Sequence, residues 1–405
     1  MLWDIFVVDE LMGAGKTSAV INMIKPGRRP YGHRYIYVTP YLDEVKRIKR
    51  ECGFYEPKNM GTKTDGFRYL LKNHRCIVTT HALFSLIDSE TARLIERGCY
   101  RLIMDEAVTP ITESDFSQDD YQLAKEGKVA SMDNNGLLHW EKPRYDGELN
   151  RMKKLCEEGA LIGQHVKDFW KCGVMWQLPP SVLRSFYDIH ILTYRFRGQL
   201  LKYYLDAHGF TYKYKYVRET PNGYELSDSR SYHPHPRYSD LIHVVGDSEL
   251  NKIGADVHAL SKNWYGKPGN LWKAAKGLWG WLDRVARGEA SRVLWTAFAA
   301  TERSMAQRAP IRGFLACNAR ATNKYAGRDI LAYMVNRYPP LQIKTHLRHR
   351  GVEIDEDEFA LSEMLQWIFR SAIRNGEEIW IYIPSRRMRG LLLSWIKEVD
   401  GSAAA

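Results

Sequence analysis

The sequence is poor in the features that mark several protein classes. Its six cysteines include no Cys-x-x-Cys, which argues against a zinc ribbon or disulfide framework and predicts a reducing, cytoplasmic setting. No apolar run approaches the roughly 18 residues of a membrane span. The first residues do not read as a signal peptide, so no membrane partner is expected. No acidic cluster with nuclease-like spacing follows residue 205. Acidic charge is also in deficit: 48 Asp+Glu against 59 Lys+Arg leave +11. That balance favours an anionic partner, with nucleic acid the first expectation. The 405 residues suffice for two or three domains and a large core. The closing Gly-Ser-Ala-Ala-Ala, 401–405, reads as an appended tail.

What is present begins with Asp9-Glu-Leu-Met-Gly-Ala-Gly-Lys-Thr-Ser18. An apolar, β-branched run over 2–8 precedes it, and a helical stretch follows, stopping before Pro26-Gly27. Strand, glycine loop and helix form the context that a phosphate-binding loop requires. Glycines let backbone N–H groups wrap phosphate oxygens, and the helix N-terminus adds its dipole. Gly13, Ala14, Gly15, Lys16, Thr17 and Ser18 are the candidate nucleotide-binding residues. Lys16 would reach the β- and γ-phosphates of ATP, and Thr17 would hold Mg²⁺. The strict pattern has a further glycine at the position of Glu10, so this is the shorter Gly-x-Gly-Lys-Thr form. Asp9-Glu10 precedes the glycines and reads as part of the loop.

Such a loop needs carboxylates to hydrolyse anything. An apolar strand, Leu102 to Met104, ends in Asp105-Glu106. In a parallel sheet this sets both carboxylates beside the loop, at the carboxyl ends of the strands. Asp105 would hold Mg²⁺, and Glu106 would orient or deprotonate the attacking water.

Between these motifs, 35–38 and 76–78 read as strands ending in Thr39-Pro40 and Thr79-Thr80-His81, each followed by a helical stretch. The repeated βα unit predicts a parallel sheet with helices on both faces. Strand-end hydroxyls can hold a nucleic-acid backbone, or simply cap the next helix. Residues 111–185 break the pattern and read as an irregular and helical insertion. A strand over 188–194 contains Thr193, and a helix over 198–208 ends at Gly209.

In the second half, 210–216 alternates aromatic with basic or polar residues. It could stack bases, or be a half-buried strand with solvated lysines. Residues 220–270 read as an irregular insertion, and His233, His235 and His243 form no convincing ligand set. The stripe Leu271, Ala275, Leu278, Leu282 reads as helix core. Strands are expected at 292–296 and 313–317, the latter leading into a basic loop with Arg320, Thr322 and Asn323. A helix is expected over 362–376, carrying Gln366, Arg370 and Arg374 at i, i+4, i+8 on neighbouring turns of one face. Arginines near a helix C-terminus suit its dipole. Aimed at another domain, they could neutralise charge on a transferring phosphate. A strand over 378–383 follows.

Together these motifs resemble superfamily 2 helicases, motor ATPases built from two tandem RecA-like α/β domains. Met12 to Thr17 is similar to motif I, Asp105-Glu106-Ala107-Val108 to motif II and Gln366 to Arg374 to motif VI. Thr39-Pro40 and Thr79-Thr80-His81 resemble motifs Ia and Ib, 192–194 motif III, and 318–325 motif V. The stretches 366–374 and 382–389 are similar to helicase-type proteins of tailed bacteriophages. The resemblance implies a first domain over 1–200, interrupted at about 111–185, and a second over 201–400, interrupted at about 220–285. It implies ATP and Mg²⁺ as cofactors, and a nucleic-acid track held by Thr39, Pro40, Thr79, Thr80, His81, Arg320, Thr322 and Asn323. Thr193 would couple hydrolysis to the strand, while Lys16, Asp105, Glu106, Gln366, Arg370 and Arg374 would carry the chemistry. Motif I starts at residue 12, without room for an upstream adenine-reading glutamine motif. DNA is therefore expected over RNA, with a role in phage replication or recombination alongside other proteins of those processes. If the chain is phage-encoded, its setting is the host cytoplasm. A DNA-packaging or restriction-type translocase, or a nucleotide-gated clamp that binds DNA without unwinding it, are the alternatives.

Overall fold

A computed structural model of the chain describes residues 4–164, 173–230, 235–246, 249–286, 289–308, 312–319 and 324–403. The chain divides into two compact units. One comprises Met1–Ser231 with Pro339–Ile354, and the other Tyr232–Tyr338 with Asp355–Ala405.

The first unit is built on a seven-stranded sheet. Its strands are β1 (Asp4–Asp9), β2 (Arg34–Thr39), β3 (Ile77–Thr80), β4 (Tyr100–Asp105), β5 (Asp188–Thr193), β6 (Tyr212–Thr220) and β7 (Gly223–Ser227). They lie in the order β7-β6-β1-β5-β4-β2-β3. All pairings are parallel except the β6–β7 hairpin at the edge. The central strands are mostly apolar between their ends, as a parallel sheet covered on both faces requires. Helix α1 (Lys16–Ile24) buries Ala19, Val20, Ile21 and Ile24. These join Val45 and Ile48 of α2 (Leu42–Cys52) and Tyr35 and Tyr37 of β2 in one cluster. Helix α2 carries Asp43 and Glu44 in its first turn and Lys49 and Arg50 in its last, which complements its dipole, and it stops at Gly53 with φ of 67°. Helix α3 (Leu200–Ala207) follows β5 and a single turn at Phe196–Gly198.

Residues 111–185 are more ordered than their composition suggests. Strands Ile111–Glu113, Met175–Gln177 and Leu161–Ile162 form an antiparallel sheet beside the hairpin Ala130–Met132/Leu138–Trp140. Tyr121, Leu138, Met152, Leu161 and Val174 give this subdomain its own core. The helix Leu341–His349, late in the chain, also belongs to the first unit: Arg350 donates to the Ala207 carbonyl through Nε (3.1 Å) and Nη2 (2.7 Å).

The second unit has a four-stranded, all-parallel sheet of β8 (Ile242–Val244), β9 (Val293–Thr296), β10 (Ile330–Tyr333) and β11 (Ile379–Tyr382), in the order β8-β11-β10-β9. Helices α4 (Asn270–Val285), α5 (Glu356–Ile368) and α6 (Arg386–Ala403) flank it. Both units are thus α/β, with mostly parallel sheets.

Several expectations change. The first unit runs past residue 200 to Ser231, because β6 pairs with β1 rather than opening a second domain. The supposed irregular stretch 220–270 contributes β7 and β8. The run 313–317 makes only one bridge, Phe314 to Trp295, and the strand that pairs along β9 is β10 instead. Helix α6 continues through Ala403, so residues 401–403 extend it rather than forming a separate tail.

Candidate nucleotide site

The loop between β1 and α1 turns on two left-handed residues, Gly13 (φ 87°) and Gly15 (φ 84°), the latter capping α1. Only glycine adopts this backbone without strain. No acidic residue of α1 itself occupies its first turn. Lys16, the first residue of α1, folds back on the loop and donates from Nζ to the carbonyls of Glu10 (2.5 Å) and Leu11 (2.8 Å). Burial lowers its pKa, against the opposing pull of Glu106, Asp9 and Asp105. Thr17 donates from Oγ1 to Asp105 Oδ1 at 3.3 Å.

That contact spans two strands. β5 lies between β1 and β4, pairing Asp9 with Thr193 and Leu192 with Asp105. The three strands therefore end level, and Lys16, Thr17, Asp105 and Glu106 converge above them. Asp105 is pushed up to about 7 by burial first, then by the charges of Glu106 and Glu44, with Lys16 opposing. Glu106 has φ of 65°, a left-handed backbone unusual for a side-chain-bearing residue, and its N–H donates to the Leu192 carbonyl at 2.9 Å. Strain of this kind concentrates at functional sites.

This donor set fits a nucleoside triphosphate with a hard divalent cation: an N-terminal helix turn and a lysine for phosphates, and a hydroxyl–carboxylate pair for the metal. Among the described residues, no cluster of three or more His, Cys, Asp or Glu could hold a metal by itself. A hydroxyl, one carboxylate and substrate oxygens are what Mg²⁺ commonly uses.

Residues 236–396 match the model of the YonV C-terminal Rossmann-like domain. Over 96% of its length the chain is also 37% identical to the SPbeta prophage-derived protein YonV of Bacillus subtilis (strain 168), covering 98% of that protein. The chain belongs to the YonV family. Its second unit is accordingly Rossmann-like, and its relative is prophage-derived.

Other candidate residues of this YonV-family chain meet different fates. Thr39 is buried, and its Oγ1 accepts from the Tyr41 N–H at 3.3 Å, with Pro40 in the turn between. Thr79 is buried, and Thr80 caps the short helix His81–Phe84 by accepting from Leu83 N–H at 3.4 Å. The Thr39 and Thr80 hydroxyls thus make local backbone contacts, that of Thr80 as a helix cap. His81 lies against the carboxylate strand, its Nε2 3.1 Å from the Asp105 carbonyl. Thr193 is buried, and its hydroxyl accepts from Gln199 Nε2 at 2.5 Å, while Gln199 also donates to the Tyr194 carbonyl. Arg320, Thr322 and Asn323 lie outside the described residues.

The expected helix over 362–376 is corrected. α5 ends at Ile368, Phe369 caps it, and a separate 3₁₀ turn covers Ala372–Asn375. Gln366, Arg370 and Arg374 thus do not share one helical face. Gln366 is half-buried, Arg370 is 5% exposed, and Arg374 is exposed. Burial and the Arg374 charge push Arg370 down to about 10.

Three residues near the loop went unnoticed in the sequence. Gln199 holds Thr193, Glu44 acts electrostatically on Asp105, and Tyr224 of β7 packs its ring on Gly15 while its carbonyl accepts from Asn22 Nδ2 at 3.0 Å. Glu44 and Tyr224 are distant in sequence from the groups they act on, Gln199 lies six residues past Thr193, and none of the three belongs to a motif. Asp9, read as part of the loop, instead accepts from the Phe196 N–H at 3.0 Å and holds the turn after β5.

Proposed function

We propose that the protein is an ATP-hydrolysing nucleic-acid motor of the superfamily 2 type, with its two units as RecA-like domains and DNA as the favoured track. The observation that carries the reading is the Thr17–Asp105 hydrogen bond, with Lys16 and Glu106 on either side of it. Lys16 would leave the Glu10 and Leu11 carbonyls for the β- and γ-phosphate oxygens. Gly13, Ala14, Gly15 and Ser18 would supply the backbone cradle. Thr17 and Asp105 would hold Mg²⁺, which neutralises phosphate charge when bound. Glu106 would accept the proton of the attacking water, its backbone tied to β5 through the Leu192 carbonyl. β5, lying between β1 and β4, would carry a change at either strand end to Thr193 and Gln199. Gln366, Arg370 and Arg374 would complete the site when the units close, and a net charge of +11 suits a phosphate backbone.

One observation favours a second reading, the nucleotide-gated clamp: Arg370 is buried, 5% exposed. Steady-state hydrolysis separates the two. Single-stranded DNA should stimulate the wild-type rate, with duplex DNA and RNA as comparisons. Glu106→Gln should lower the rate about 10²- to 10⁴-fold while keeping nucleotide affinity. A measurable basal rate that no nucleic acid changes would overturn the motor.

A further inference from the structure

Among the surfaces that combine aromatic rings with basic residues, the hairpin β6–β7 and helix α4 differ in one respect. On the hairpin β6–β7 the cations are neutralised: Lys213 pairs with Asp4 at 3.0 Å, Lys215 with Asp228 at 2.6 Å, and Arg218 with Glu225. On helix α4 three cations outnumber the single carboxylate, Asp283, and are not neutralised. Among the described residues, Lys273, Lys276 and Arg284 make no ion pair, and all three are exposed. The same helix carries Trp272, 55% exposed, and Trp279, 45% exposed, with Lys276 between them and Lys273 beside them on the solvent side.

The spacing is regular. Trp272, Lys276 and Trp279 fall at i, i+4 and i+7, one stripe along about 10 Å of helix. Lys276 Nζ already sits 5.2 Å from the Trp272 ring centroid. The opposite face anchors the helix. Ala274, Ala275, Leu278, Trp281 and Leu282 are buried, and Trp281 stacks on Tyr382 of β11 at 5.6 Å. The core therefore uses one tryptophan of this helix and leaves two in water. A single exposed ring needs no explanation. Two rings two turns apart, with unpaired lysines beside them, form a stacking platform with its own phosphate contacts.

We infer that the Trp272–Lys276–Trp279 face of α4 is a binding surface for single-stranded nucleic acid, bases stacking on the two rings and phosphates meeting Lys273 and Lys276. The partner class follows from the unpaired positive charge and from ring faces that accept any base, so binding is sequence-independent. The inference takes its partner from the motor reading but rests on residues outside the nucleotide site.

The test is a fluorescence-anisotropy titration of full-length protein with labelled oligothymidylate, comparing wild type with Trp272→Ala, Trp279→Ala, the double variant and Lys273→Glu/Lys276→Glu. Each ring should cost about tenfold in affinity. Trp272→Phe/Trp279→Phe should retain most of it, and thermal melts should show every variant folded at the assay temperature. Basal ATP hydrolysis, measured in parallel, should be the same in every variant. Wild-type affinity in the double alanine variant, or no binding by the wild type, overturns the surface. Loss of strand binding in the alanine variants of a protein without hydrolysis would leave the surface standing and remove the motor. Strand-stimulated hydrolysis with unchanged strand affinity in those variants would do the reverse.

Discussion

Gly15 shows how much one position can carry. It caps α1 in a left-handed conformation, and a Cβ there would lie 2.6 Å from Cδ1 of Tyr224. Gly15→Ala therefore meets two separate penalties, backbone strain of about 1–2 kcal/mol and a clash with an aromatic ring. Gly15→Ala should melt several degrees lower and lose nucleotide affinity. Adding Tyr224→Ala should recover part of the stability, since it relieves the clash and leaves the strain. Equal melting of the single and double variants would show that the ring moves freely aside. A second residue-scale expectation concerns His208, whose ring packs on Tyr204 at 4.5 Å. Burial first, then Arg350, His346 and Arg184, push it down to about 3. Unfolded, it would bind a proton below about 6.5, so between that pH and about 3 the unfolded state holds more protons. Its contribution to stability is complete above 6.5 and is lost as pH falls through that window. The melting temperature of His208→Gln should accordingly fall less steeply on acidification than that of the wild type.

Elements were legible where sequence signals were local. Asp4–Asp9, Arg34–Thr39 and Tyr100–Asp105 are apolar runs closed by the residues that matter, and the glycine loop marks the start of α1. What could not be read depends on distant partners. Phe369 and Ala372 continue the apolar spacing of α5, so nothing in the pattern marks the break. Yet the chain leaves the helix there, and the Ala372 N–H donates to the Arg328 carbonyl at 2.9 Å. The break separates two arginines that regular spacing would make equivalent. An arginine that completes a phosphate site elsewhere has to be presented at the surface of its own unit, and Arg374 is exposed while Arg370 is enclosed. On the motor reading, Arg374→Ala should lower kcat about 10³-fold, the usual effect of losing an arginine finger, with an unchanged melt. Arg370→Ala should instead lower stability by about 1–3 kcal/mol. Steady-state kinetics and calorimetry on both variants decide it, and the converse pattern would make Arg370 the finger.

At the scale of the whole molecule, the sequence announces two α/β units but not where they divide. The edge strands β6 and β7 join the first sheet, and the stretch Pro339–Ile354 returns to the first unit after most of the second has been traversed. Both are long-range choices, settled by pairing with β1 and by Arg350 on Ala207 rather than by local propensity. The chain therefore crosses between units more than once, which matters for a motor that must move one against the other. Motor and clamp alike require strand affinity to depend on the nucleotide, and that dependence is reciprocal. If ATP changes strand affinity by a given factor, the strand must change ATP affinity by the same factor. Glu106→Gln makes the comparison possible at equilibrium because hydrolysis is suppressed. In that variant, oligothymidylate affinity with and without ATP-Mg²⁺, and ATP affinity with and without oligothymidylate, should shift by one common factor of about 5- to 150-fold, the usual range of coupling between sites. Two titrations that each show no shift would mean that the sites are uncoupled, and would sink both readings together. A shared shift, joined to strand-stimulated turnover in the wild type, belongs to the motor, whereas the same shift without stimulation belongs to the clamp.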